Sequence, residues 1–191
     1  SSMVINKYRA DLHIHTVFSP CGDIYMSPSA IIEQAKKLHL DIIAITDHNS
    51  TRQVKITQQI GKENGIFVIG GVEITTQEET HALAYFENDE QLDAFQEFID
   101  EHLPHIPNDE ERFGYQLIVD ENEDVVDEEK HVLVFFIAEV LGAGQSGEGH
   151  AGAGTRRFVH LTIDKHGAFQ NTGFFQFAIK VVAFAGTFTH A

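Results

Sequence analysis

Side chains of the kind that hold metal ions recur at short, regular intervals through the first half of the chain. Asp11-Leu-His13-Ile-His15 spaces a carboxylate and two imidazoles two residues apart, so an extended strand would carry all three on one face. Further along come Thr46-Asp47-His48, then Gly71-Val72-Glu73, then His81, with Asp23 in the stretch that follows the first cluster. Imidazole nitrogens and carboxylate oxygens are the usual donors for zinc and related divalent ions. One His-x-His pair is weak evidence for a site. Four clusters, each at the end of a predicted strand, make a metal centre the reading to test. A centre of this kind would lower the pKa of bound water and supply local positive charge.

The elements that must position these residues alternate in type. Tyr8–Ile14 reads as a short strand. Ser27 then supplies an N-cap and Pro28 a first-turn proline for a helix carrying Ile31, Ile32, Ala35 and Leu38 at helical spacing. Ile42–Ile45 is a continuous apolar run, the mark of a strand buried on both faces. Thr51–Asn64 reads as a helix stopped by Gly65, Ile66–Ile69 as the next strand and Ala82–Phe86 as another. Glu90–Leu103 is an amphipathic helix built on Leu92, Phe95, Phe98 and Ile99. This alternation predicts parallel β/α architecture, in which functional residues gather at the C-terminal ends of the strands. Gln116–Val119 and Val125–Val126 flank an acidic turn and predict a hairpin insertion around 113–130. Val132–Leu141 fits helix or strand, whereas Phe158–Ile163, Gly173–Phe177 and Lys180–Phe184 read as strands.

Composition narrows the substrate. The chain of 191 residues is sized for one domain, with a formal charge of −16. Residues 77–129 hold 19 acidic side chains against the single Arg112, a solvated acidic surface. This argues against extended nucleic acid, since no basic cluster exceeds Arg156-Arg157. A small anion remains acceptable, because ions in the site would supply the local positive charge. No stretch approaches the roughly 20 apolar residues of a membrane helix. The single cysteine, Cys21, cannot form an internal disulfide, which points to a reducing, cytoplasmic setting. Ser1-Ser2 ahead of Met3 reads as a cloning remnant, leaving 3–191 as a single domain. Residues 142–154 are Gly/Ala-rich, as in a flexible loop, and nine of the fifteen phenylalanines follow position 131.

The motifs DLHIHTVFSPCGD, HLDIIAITDHNS, GVEITT and HALAYF resemble, in this order, those of the PHP (polymerase and histidinol phosphatase) family. The resemblance is dense over residues 8–103. It implies a distorted seven-stranded β/α (TIM-like) barrel holding two or three divalent ions (zinc, manganese or iron) and hydrolysing phosphate esters. It further implies that His13, His15, Asp23, His48, Glu73 and His81 are metal ligands, with Glu73 bridging two ions. Asp11, Asp47 and His48 are the candidate catalytic residues, the two carboxylates orienting imidazoles by accepting their remaining N–H. Cys21, beside the site, is expected to be a packed thiol outside the ligand set, with thiolate ligation as the alternative.

In the C-terminal third, Phe158-Val-His160 with Asp164 resembles a degenerate form of the family's Pro-Ala-His segment. Gly186-Thr-Phe188-Thr-His190 resembles its terminal Gly-Ser-Asp-x-His. His160 and His190 complete the candidate ligands, whereas His150 and His166 have weak claims. Phe188 stands where the family carries a metal-binding aspartate, which would weaken the innermost ion. The expected activity is therefore hydrolysis of a small phosphorylated substrate. The alternatives are a nucleic-acid-processing phosphoesterase and a degenerate domain with a metal-stabilised binding or regulatory role.

Overall fold

The computed structural model of the chain describes residues 7–75, 81–133, 161–163, 169–171 and 180–183. Two consecutive β/α units open the fold. Strand β1 (Ala10–Ile14) leads to helix α1 (Pro28–Lys37), and β2 (Ile42–Ile45) to α2 (Val54–Glu63). The third strand, β3 (Phe67–Thr75), lies parallel to β2, which lies parallel to β1. Helix α1 begins as its sequence dictates: the Ser27 side chain accepts a hydrogen bond from the Ala30 amide, and Pro28 occupies the first turn. Helix α2 starts three residues later than its sequence suggests. Thr51 does not cap it, because the Thr51 amide and hydroxyl both donate to Gln96 Oε1, at 2.7 and 2.9 Å.

Strand β3 does not stop at Ile69. It continues through Gly70, Gly71 and Glu73, interrupting the apolar run without interrupting the ladder. The parallel pattern ends there. Strand β4 (His81–Phe86) returns antiparallel to β3, with Glu73 opposite Leu83 and Thr75 opposite His81. The connection 76–80 is too short for a parallel crossover, which needs a dozen or more residues. Helix α3 (Asp89–His102), capped by Asn88, follows. Strand β9 (Lys180–Ala183) pairs antiparallel with β4, giving a five-stranded mixed sheet in the order β1-β2-β3-β4-β9. Among the described residues this sheet is open, so they form a mixed α/β fold and not a closed barrel.

The core lies where the helices cover the sheet. Ile31, Ile32 and Ala35 of α1, Val54 and Ile60 of α2, and Leu92, Phe95 and Ile99 of α3 are buried with Ile43, Ile45, Val68 and Val72 of the strands. A short helix, α4 (Glu110–Phe113), which the sequence reading lacked, precedes the expected hairpin of β5 (Leu117–Val119) and β6 (Val125–Glu128). The hairpin is tied to the β/α units by side chains. Gln53 donates from Nε2 to the Val119 carbonyl (2.8 Å) and accepts from the Val119 amide (3.0 Å), imitating a strand neighbour. Ser29 donates to the Glu121 carbonyl at 2.9 Å, and Ser27 donates to Glu123. Strands β7 (Leu161–Ile163) and β8 (Phe169–Asn171) pair with each other. The expected strand at 173–177 and most of the 132–141 segment lie outside the described residues. Among the described residues no helix is long and apolar enough to cross a membrane.

Candidate metal centre

The centre forms where β1, β2 and β3 end side by side. The Thr46 amide donates to the Ile14 carbonyl, the Glu73 amide to the Asp47 carbonyl and the Asn49 amide to the Glu73 carbonyl, each at 2.9 Å. These backbone bonds carry the sheet's register past the strand ends and set His48 beside Glu73. Parallel strands in register thereby bring together residues 60 positions apart.

Glu73, only 3% exposed, is the hub. Its Oε2 lies 2.9 Å from His13 Nε2 and 2.8 Å from His15 Nε2, and those two nitrogens lie 3.0 Å from each other. Its Oε1 lies 2.6 Å from His81 Nδ1. His48, 7% exposed, places Nδ1 at 3.8 Å from Glu73 Oε2, and that buried nitrogen has no hydrogen-bond partner among the described residues. Ligand-type atoms thus form two groups sharing one carboxylate: His13, His15 and Glu73, and His48, Glu73 and His81.

Protonation follows from this crowding. Burial alone would raise the Glu73 carboxyl, but hydrogen bonds from His13 and His15 outweigh it and hold it well below the usual carboxylate range. Burial disfavours charge on His15, yet its hydrogen bonds to Cys21 and Glu73 prevail and lift it to about 10. Burial, reinforced by the neighbouring charge of His15, pushes His48 down to about 4. A neutral imidazole with an unpartnered buried nitrogen beside an ionised carboxylate is a donor set suited to a cation. The meeting of His13 and His15 Nε2 supports this fit, because two such lone pairs can share only one proton but can both bind one ion.

Several expected residues take positions that differ from direct ligation or direct orientation of a ring. Asp47, fully buried, accepts from the Thr16 amide (2.7 Å), the Thr16 hydroxyl (2.8 Å) and the Ser19 hydroxyl (2.8 Å). Burial raises its carboxyl despite these donors. It reaches the imidazoles through Ser19, whose Oγ lies 3.2 Å from His15 Nδ1 and accepts from the His48 amide at 3.1 Å. Asp11 accepts from the His13 amide at 3.2 Å, holding backbone and not a ring. Asp23 is exposed, accepts from the Tyr25 amide at 3.0 Å, and joins neither group. Cys21 departs from the packed thiol expected of it, being exposed. Ser19 is the functional position that sequence reasoning missed; a serine in an aperiodic loop offers no spacing to read. His160 and His190, with His150, Asp164, His166 and Phe188, lie outside the described residues.

Comparison with known proteins bears on this constellation. An uncharacterized protein of Methanocaldococcus jannaschii is 41% identical over 78 residues, 37% of this chain and 46% of the relative. The PolC-type DNA polymerase III of Oceanobacillus iheyensis is 38% identical over 87 residues, 46% of this chain and 6% of the polymerase. The phosphoribosyl 1,2-cyclic phosphate 1,2-diphosphodiesterase of Eggerthella lenta is 29% identical over 65 residues, 34% of this chain and 24% of the enzyme. The chain therefore spans less than half the length of each of these relatives. The family model described as the PHP domain matches residues 11–145, a span that includes Glu73 and the four histidines clustered around it. The chain belongs to the PHP domain family.

Proposed function

We propose that the protein is a metal-dependent phosphoesterase acting on a small phosphorylated substrate. The observation that carries this reading is the division of Glu73, with Oε2 on His13 and His15 and Oε1 beside His81. A carboxylate so divided could serve two ions, one from each oxygen, and paired ions are the usual clamp on the attacking and leaving oxygens of phosphoryl transfer. Bound zinc, manganese or iron would activate water and neutralise phosphoryl charge. The chain's own residues provide the rest: His13, His15, His48 and His81 present nitrogen donors, and Asp47 fixes the loop that braces His15. Family membership, with a diphosphodiesterase among the relatives, supports phosphate-ester chemistry. In this reading the open sheet is part of the family's distorted seven-stranded barrel, and residues 3–191 form one domain. His160 and His190 remain proposed ligands on the strength of the motif resemblance.

A nucleic-acid substrate is the second reading, favoured by the polymerase relative, which aligns with 46% of this chain. The charge of −16 weighs against it. Metal analysis of the purified chain, with turnover of a generic aryl phosphate in added manganese or zinc, tests the first reading. Bound metal and turnover abolished by chelation are expected, with turnover falling by several orders of magnitude in Glu73→Ala. Turnover unchanged in that variant would place the chemistry elsewhere.

A further inference from the structure

The loop between β1 and α1 brings a sulfur to the centre. Sγ of Cys21, a ring nitrogen of His15 and a ring nitrogen of His48 all lie within 4.8 Å of one another, a third group of ligand-type atoms beside the two that share Glu73. The position is built into the turn. The Gly22 amide donates to the Ser19 carbonyl at 2.8 Å, and a Cβ on Gly22 would lie 2.0 Å from the Thr16 carbonyl oxygen. Only glycine fits against that carbonyl, so the turn keeps the preceding residue close to the imidazoles. Ser19 ties the same turn to Asp47, to His15 and to the His48 amide. The His48 imidazole that supplies a nitrogen to this group is more than nine-tenths buried, and its Nδ1, 3.8 Å from Glu73 Oε2, has no hydrogen-bond partner among the described residues. Asp23, the carboxylate expected to serve from this loop, instead accepts from the Tyr25 amide and joins none of the three groups, whereas Cys21, though also exposed, does.

We propose that Cys21 is a thiolate ligand of the metal centre, acting with His48 in the position that sequence resemblance gave to Asp23. The proposal rests on the metal-centre reading above. On binding, the S–H bond breaks, a sulfur–metal bond forms and the proton leaves to solvent. A thiolate among imidazoles shifts preference toward softer ions, so zinc, iron(II) or cobalt(II) should be held over manganese and magnesium at this position.

Cobalt(II) titration of the full chain provides a readout independent of turnover. The wild-type protein should develop a near-ultraviolet thiolate-to-cobalt charge-transfer band, and bound metal should slow alkylation of Cys21 by iodoacetamide. Cys21→Ser should lose the band and weaken cobalt binding by more than about a hundredfold, beyond the roughly 10–100-fold expected for loss of a residue that merely supports a ligand. Cys21→Asp should recover much of the affinity without the band. Cobalt bound with no such band, or alkylation equally fast with and without metal, overturns the ligand assignment and leaves the centre standing. No cobalt bound at all overturns the centre and, with it, the ligand.

Discussion

Burying a carboxylate costs free energy unless donors meet it, and Asp47 is met by three from Thr16 and Ser19. Those donors are themselves buried, so each partner depends on the other. Asp47→Ala should therefore lower stability by about 3 kcal/mol, seen as an earlier urea midpoint, because it orphans an amide and two hydroxyls. Ser19→Ala separates the roles. It removes the brace on His15 Nδ1 and should cost only about 1 kcal/mol of stability, while metal affinity, measured by competition with a chelator, falls about 10–100-fold. Equal metal affinity in Ser19→Ala and wild type would show that the brace has no influence on the centre. The His-x-His pair, His48, Glu73 and His81 were legible in the sequence because strand periodicity and strand ends fix where such side chains point. Cys21 and Asp23 were not. The turn at Ser19–Gly22 carries one toward the imidazoles and the other away, and a turn has no period from which that can be read.

At the scale of elements, apolar runs told most of the story. Ile42–Ile45 is the second strand, residue for residue, and Ser27-Pro28 opens the first helix. What the pattern missed was governed by contacts distant in sequence. Gln96 takes the Thr51 hydroxyl, so α2 begins at Val54. The length of the 76–80 connection, and not the composition of β4, reverses that strand's direction. The apolar run Ile66–Ile69 stops before Gly70-Gly71, yet the strand runs on through both, and close packing requires glycine at Gly71. A Cβ on Gly71 would lie 2.8 Å from the Ala84 carbonyl oxygen and 3.1 Å from the Ile45 carbonyl oxygen, within the ladders that place Glu73 two residues later. Gly71→Ala should cost about 1–3 kcal/mol and weaken metal binding together with thermal stability. Loss of stability with metal affinity intact would mean that the hub is held independently of its strand.

For the molecule as a whole, charge decides what can approach. A net charge of −16 should repel a polyanion over the length of a Debye screen, about 8 Å at physiological salt, while a single phosphate would meet chiefly any ions held in the centre. Short single-stranded DNA should therefore compete poorly with an aryl phosphate at equal phosphate concentration. Inhibition by DNA at low micromolar levels would favour the nucleic-acid reading. Composition carries that expectation, whereas the folding together of distant segments is not legible in it. The hairpin of β5 and β6 is fastened to the starts of α1 and α2 through Ser27, Ser29 and Gln53, across separations of 96, 92 and 66 residues. Such fastenings have a consequence in time. The β1-β2-β3 ladders close shorter loops and can assemble first, and the hairpin can form alone from neighbouring residues. Their docking must wait until both exist, so the bond between Gln53 and Val119 belongs to the late stage of folding and to the early stage of unfolding.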